Sequence, residues 1–233
     1  MAPSPATSPA KEAASPSAAR EPVLDRRLGI VGAGKLGLAL ARGALAAGYE
    51  VAIAGSGPPE RISLQVDVLA PGAATKTVDG VVAFSDLVVL AVPTHRFREL
   101  PADLFDGKIL IDAMNYWPDI DGDIPELANT PGGTSAAVQA HFPGARVVKS
   151  LNQLGHHELD EYRREHGGPD RIAVAAASED RLAVRAVMHL IDDLGFDPVD
   201  AGALQNGRLL EPDGSPYAVT YTAAQLTQRL SKT

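Results

Sequence analysis

Short apolar runs alternate with stretches of helical periodicity along most of this 233-residue chain. Eight runs rich in Val, Ile, Leu and Ala read as strands: Leu28–Val31, Tyr49–Ala54, Ala74–Thr77, Leu87–Val92, Lys108–Asp112, Arg146–Leu151, Arg171–Ala176 and Phe196–Asp200. They are apolar at successive positions rather than alternate ones, as strands buried on both faces are. Helical spacing predicts helices over Lys35–Ala47, Pro59–Leu69, Ser135–His141, Glu158–Glu165, Asp180–Leu194 and Pro216–Arg229. The helix at Asp180–Leu194 has legible ends. Ser178 or Asp180 can cap it, Leu182, Val187, Leu190, Ile191 and Leu194 share a face, and Gly195 stops it. Alternation of this kind implies right-handed crossovers and an α/β fold, a doubly wound parallel sheet.

The pattern lapses in two places. Of the first 22 residues, 16 are Ala, Pro or Ser, and no apolar stretch follows a basic start, so this is not read as a secretory signal. Residues 1–26 read as a disordered tail that cannot bury enough surface to order itself. Residues 27–233 read as a single domain. The second lapse, Tyr116–Gly133, is rich in Asp, Pro and Gly and follows the carboxyl end of a strand, where ligands bind in open α/β sheets. It is either a functional loop or a surface excursion.

The first strand runs into Gly32-Ala33-Gly34-Lys35-Leu36-Gly37, a Gly-x-Gly-x-x-Gly turn that opens a helix. Gly32 permits the sharp turn off the strand, Gly34 lets a pyrophosphate approach the backbone, and Gly37 lets the helix lie close to the sheet. An anion there meets the free amides and the positive end of the helix dipole. With strand and helix both legible around it, the motif marks a Rossmann dinucleotide site and makes the expected sheet a Rossmann one.

The end of the second strand bears on which dinucleotide. It reads Ile53-Ala54-Gly55-Ser56-Gly57 and carries no carboxylate to hold ribose hydroxyls, which favours NADP over NAD. Ser56 can bond a 2′-phosphate, and Arg61, at the start of the next helix, can reach it with a guanidinium fork, although it also reads as a solvated helix residue.

Composition narrows the rest. A net charge of −8 and 5% aromatic residues argue against a nucleic-acid partner. The absence of cysteine excludes disulfides, a thiolate nucleophile, cysteine-ligated zinc and iron–sulfur clusters. No apolar run approaches the ~20 residues of a membrane span, so no membrane partner is expected and the location is read as cytoplasmic.

The motifs come in a family's order. Gly32–Gly37, Ala54-Gly55-Ser56, Leu87–Pro93 and Ile111-Asp112-Ala113-Met114-Asn115 are followed by Val147–Gln153 and Asp200–Arg208, and together they resemble the coenzyme F420-dependent NADP oxidoreductases. The later segments are also similar to the reductase domains of the six-transmembrane metalloreductases. The resemblance covers about residues 27–212 and implies a single Rossmann domain with a small C-terminal extension, and a homodimer that binds NADP(H), with the nicotinamide facing a deazaflavin (F420) or flavin ring. It assigns Gly32, Ala33, Gly34, Lys35 and Leu36 to the pyrophosphate, Ser56 to the 2′-phosphate, Ala91, Val92 and Pro93 to the ribose, and Ala113 with Asn115 to the nicotinamide. The chain departs from the family where Gly57 replaces an Arg after the Ser, with Arg61, or His95 and Arg96, as substitutes. It also departs in the insertion Tyr116–Gly133 and in the run Leu154–Asp160.

Hydride transfer between stacked rings needs alignment more than acid–base chemistry. Asn115 and Asn152 each follow a strand and can bond a carboxamide or an acceptor ring, or serve only as turn residues. His156 can donate a proton to a reduced acceptor, or simply start a helix. No metal site is expected, since His156 and His157 are adjacent and lack a third ligand. Tyr116 and Trp117 either line a ring pocket or anchor their loop. The expected activity is NADP-dependent oxidation–reduction with a deazaflavin or flavin acceptor. The alternatives are a redox-sensing NADP module without turnover and a reductase of a small carbonyl or imine substrate.

Overall fold

A computed structural model describes residues 25–128, 130–214 and 216–232. The tail expected at residues 1–26 lies outside the described residues except for its last two. The strands are β1 (Arg27–Val31), β2 (Glu50–Ala54), β3 (Ala74–Thr75), β4 (Leu87–Leu90), β5 (Ile109–Asp112), β6 (Arg146–Ser150), β7 (Ala173–Ala177) and β8 (Asp197–Gly202). The helices are α1 (Lys35–Ala46), α2 (Glu60–Leu69), α3 (Val78–Phe84), α4 (Pro118–Asp121), α5 (Pro125–Ala128), α6 (Thr134–His141), α7 (His156–Glu161), α8 (Arg181–Asp193) and α9 (Ala223–Leu230). Each strand expected from the sequence is present. One sheet contains them in the order β3-β2-β1-β4-β5-β6-β7-β8, a Rossmann sheet extended on the β6 side.

Alternate strand residues feed opposite faces. Leu28, Ile30, Val51, Ile53, Leu87, Val89, Ile109 and Ile111 face α1 and α8. Ala52, Ala54, Val88, Leu90 and Leu110 face α3, α6 and the aromatic cluster of Phe97, Phe105 and Phe142. Covered on both sides, these strands show no polar alternation.

The sheet is not wholly parallel, which corrects the expectation. β1 to β6 are parallel, but β6 and β7 pair antiparallel through Lys149↔Ala177 and Ser150↔Ala176, and β8 then runs parallel to β7. A crossover helix must carry the chain back along the sheet. Between β6 and β7 lies one six-residue helix, about 9 Å long, roughly half the length of a five-residue strand. Apolarity marks β7 (AVAAA) as buried without encoding its direction.

Helix boundaries shift for local reasons. Asp180 caps α8, its Oδ1 accepting the Leu182 and Ala183 amides at 3.0 Å each, while the Ser178 hydroxyl accepts the Asp180 amide instead. Leu182, expected on the apolar face, stands 37% exposed. The helix expected at Glu158–Glu165 begins earlier and ends at Glu161, and that expected at Pro216–Arg229 starts only at Ala223, where Thr222 and Gln225 form a capping box. Helix α3, too short for its period to register, has a Thr77 cap. Among the described residues, no helix is long and apolar enough to cross a membrane.

Candidate functional site

The glycine turn has the geometry its spacing predicts. Gly32 has φ +123°, and a Cβ there would stand 2.2 Å from Ala91 O. At Gly37 a Cβ would meet Gly32 O at 1.9 Å. Gly34 differs, because a Cβ would meet nothing within 4 Å. It is the N-cap of α1 and offers no side-chain cap to the first amides. The open side of Gly34 faces a cavity of about 550 Å³, within the range of ligand pockets. Gly32, Ala33, Gly34, Ser56, Ala91, Val92 and Pro93 line it, with Thr77, Val78 and Leu100 opposite.

Lys35, Leu36 and Gly37 continue into α1, outside the lining. Arg61 is outside the lining but stands against Gly57, which is part of it. A Cβ on Gly57 would sit 3.0 Å from Arg61 Cδ and 3.1 Å from its Nη1, so the missing side chain at position 57 is the space the Arg61 stem occupies. The other substitutes considered for a phosphate are paired with carboxylates. His95 Nδ1 pairs with Asp121 at 2.8 Å, whereas Arg96 lines the cavity itself together with Glu99, to which it is paired at 2.6 Å.

A second cluster forms at the carboxyl ends of β5 and β6. Asn115 Nδ2 donates to Asn152 O and Asn152 Nδ2 donates to Asn115 Oδ1, both at 2.9 Å. Asn152 also donates to Leu210 O at 2.7 Å, and its Oδ1 is buried without a donor among the described residues. The Thr94 hydroxyl donates to Asn115 O at 2.6 Å, tying this turn to the one after β4. Asn152 follows Leu151, a non-glycine residue at φ 62°, so the chain takes an unfavourable turn to deliver it. Ala113 is buried beneath the turn.

The insertion contributes beside this pair. Tyr116 is a loop anchor, its hydroxyl donating to Gly122 O and accepting the Ile124 amide, both at 2.8 Å. Trp117 stands 40% exposed, edge-on to Tyr217 with ring centres 5.9 Å apart, and the Tyr217 hydroxyl lies 3.4 Å from Asn115 Nδ2. Burial, then the charge of Glu158, raises the Tyr217 pKa.

His156 packs on His157, the rings tilted with centres 4.0 Å apart. Partial burial pushes its pKa below the usual histidine value, and the charges of His157, Lys35 and Arg42 push it further. Among the described residues, no three His, Asp or Glu side chains gather as metal ligands.

Several residues behind the asparagines went unnoticed in the sequence. Lys149 and Asp112 are both fully buried and paired at 3.3 Å. Ser135 donates to Asp112 at 2.6 Å, and Glu211 accepts the Thr134 amide and hydroxyl, each at 2.7 Å. The available signal was a charged residue at the same level in two adjacent, otherwise apolar strands.

The chain is similar in sequence and fold to known proteins. Residues 27–116 match the family model described as NADP oxidoreductase, coenzyme F420-dependent. The resemblance drawn from the motifs is thereby borne out from β1 to the Asn115 turn. A candidate F420-dependent NADP reductase from Arthrobacter sp. FB24 is 25% identical, with a TM-score of 0.66 over 78% of this chain and 87% of its own. The hypothetical protein SMa0349 from Sinorhizobium meliloti is 28% identical, with a TM-score of 0.73 over 84% of this chain and 94% of its own. The protein YjhV of Escherichia coli (strain K12) is 34% identical over 68 residues, which are 29% of this chain and half of that protein. The likeness to this oxidoreductase family supports an NADP-dependent oxidoreductase.

Proposed function

We propose that this chain passes hydride between NADPH and a planar ring acceptor of deazaflavin or flavin type. The reading rests on one observation: the reciprocal Asn115–Asn152 pair stands beside the Trp117–Tyr217 aromatic edge. The residues present fit the dinucleotide. The open side of Gly34 and the uncapped start of α1 form an anion cradle, and Ser56 with Arg61 suits a 2′-phosphate. When bound, NADPH supplies the hydride. The protein's own contribution is alignment. Thr94 fixes the Asn115 turn, the two asparagines set hydrogen-bonding groups at one depth, and the buried acceptor of Asn152 suits a ring or carboxamide N–H. Trp117 and Tyr217 give a ring an apolar face and exclude water from it.

The test is to titrate the protein with NADPH and NADH, then add coenzyme F420, FMN or a cyclic imine while following nicotinamide absorbance. Turnover with either ring supports the proposal. Turnover with the imine alone would replace it with reduction of a small substrate, and tight NADPH binding without turnover would replace it with a sensing role.

A further inference from the structure

We propose that Lys149 is a positioning residue for hydride transfer, acting on Asn115 through the Met114 peptide. The inference rests on the proposed function and goes behind its two asparagines.

Asp112 and Lys149 are partners in the β5–β6 register, and both side chains are fully buried. A buried ion pair is a poor device for stability alone, because desolvation cancels much of the attraction and apolar replacements often do as well. The bonds of this pair show another use. The Lys149–Asp112 contact itself is long at 3.3 Å, whereas Lys149 Nζ donates to Met114 O at 2.6 Å. Asp112 Oδ1 accepts the Met114 amide at 3.1 Å, and its Oδ2 accepts the Ser135 hydroxyl at 2.6 Å. Both peptide groups of one buried residue are therefore held by oppositely charged side chains. The next residue is Asn115, whose carbonyl Thr94 holds in turn.

Lys149 also governs the second arm. Three residues on, past Leu151, β6 delivers Asn152. The C-terminal 3₁₀ segment Leu204–Leu210 lies on the Lys149 stem, since a Cβ on Gly207 would come within 2.9 Å of Lys149 Cβ and Cγ. Leu210 of that segment accepts the Asn152 amide. Lys149 thus sits where both asparagine arms and the extension meet.

The full chain carrying Asp112→Asn with Lys149→Met removes both charges together, leaving no lone buried ion. In this variant NADPH affinity should stay within about threefold of wild type. The emission gain of bound nicotinamide should be lost, amides of the 112–116 segment should exchange about tenfold faster without cofactor, and hydride transfer should slow about thirtyfold. Asp112→Asn with Lys149→Gln restores a donor toward Met114 O and should recover part of the emission gain. A folded Asn/Met variant with wild-type emission and exchange overturns the proposal. If that variant fails to fold, Gly207→Ala decides, since it keeps both charges and displaces the lysine stem. The same losses support the clamp, and wild-type emission and exchange overturn it. Wild-type protein that does not bind NADPH overturns the functional reading and the clamp together, whereas wild-type protein that binds NADPH, with emission gain and exchange unaltered in the folded variants, overturns the clamp alone.

Discussion

Gly34→Ala separates a glycine kept for a ligand from glycines kept for the fold. At φ −79° and ψ −173° Gly34 is in a region open to alanine, and an added Cβ meets nothing within 4 Å. Alanine is a poorer N-cap than glycine, but it reduces the freedom of the unfolded chain by about 0.4–1 kcal/mol, so net stability should change by about 0.5 kcal/mol or less. The methyl projects over the amides at the start of α1. Loss of a charge-assisted hydrogen bond costs about 1.5–3 kcal/mol, so NADPH should bind roughly 10- to 150-fold more weakly. Gly37→Ala is the control, because its Cβ would lie 1.9 Å from Gly32 O. It should cost about 3 kcal/mol, lowering the melting temperature by about 6–12 °C. Thermal melts and NADPH fluorescence titrations on the two variants are sufficient. An alanine at 34 that binds NADPH as tightly as wild type, or melts as early as Gly37→Ala, refutes the reasoning.

Other consequences can be measured separately. Arg61→Ala should weaken NADPH about tenfold and leave NADH nearly unchanged, read from the two dissociation constants. Asp180→Ala loses the α8 cap and its Arg146 partner and should destabilise the protein by about 1–2 kcal/mol in denaturant. The Arg146 hydrogen bond holds Asp180 at about 2, below the ordinary 3.8, so its stabilisation is complete above the higher value and fades as pH falls through the lower. Asp180→Asn should flatten acid unfolding across that window. The lowered pKa of His156 leaves it neutral near pH 7 and makes the unfolded chain bind protons first as pH drops below 6.5, so His156→Gln should matter little at pH 7 and relieve part of the destabilisation below 6.5, measured by melts across pH. Trp117 is the only tryptophan, so its emission should change on adding a ring acceptor and, without one, on Tyr217→Ala.

What could be read from the chain depended on how locally each feature is encoded. Runs such as Leu87–Leu90 and Ile109–Asp112 are apolar because the sheet is covered on both faces, and that shows without tertiary information. The glycine turn is equally local, since Gly32 and Gly37 leave room for backbone oxygens, Gly34 leaves its own side open, and all three fall within six residues. The direction of β7 is not local. It depends on how far the chain between β6 and β7 travels, and residues 162–172 carry no periodicity that records it.

The two halves of the candidate site differ in the same way. The dinucleotide half is built from short runs that follow β1, β2 and β4, and within each run the residues stand next to one another. The acceptor half is assembled from Thr94, Asn115, Asn152, Leu210 and Tyr217, which five different segments bring together. Asn115 and Asn152 stood out because each follows a strand, but their reciprocal bonding is a property of the β5–β6 register. Lys149 within Val-Val-Lys-Ser reads as an interruption of an apolar strand until Asp112 is placed opposite it. Two isolated charges would be costly in that core. Paired, and bonded to the peptide that carries Asn115, they make the strand interior part of the site.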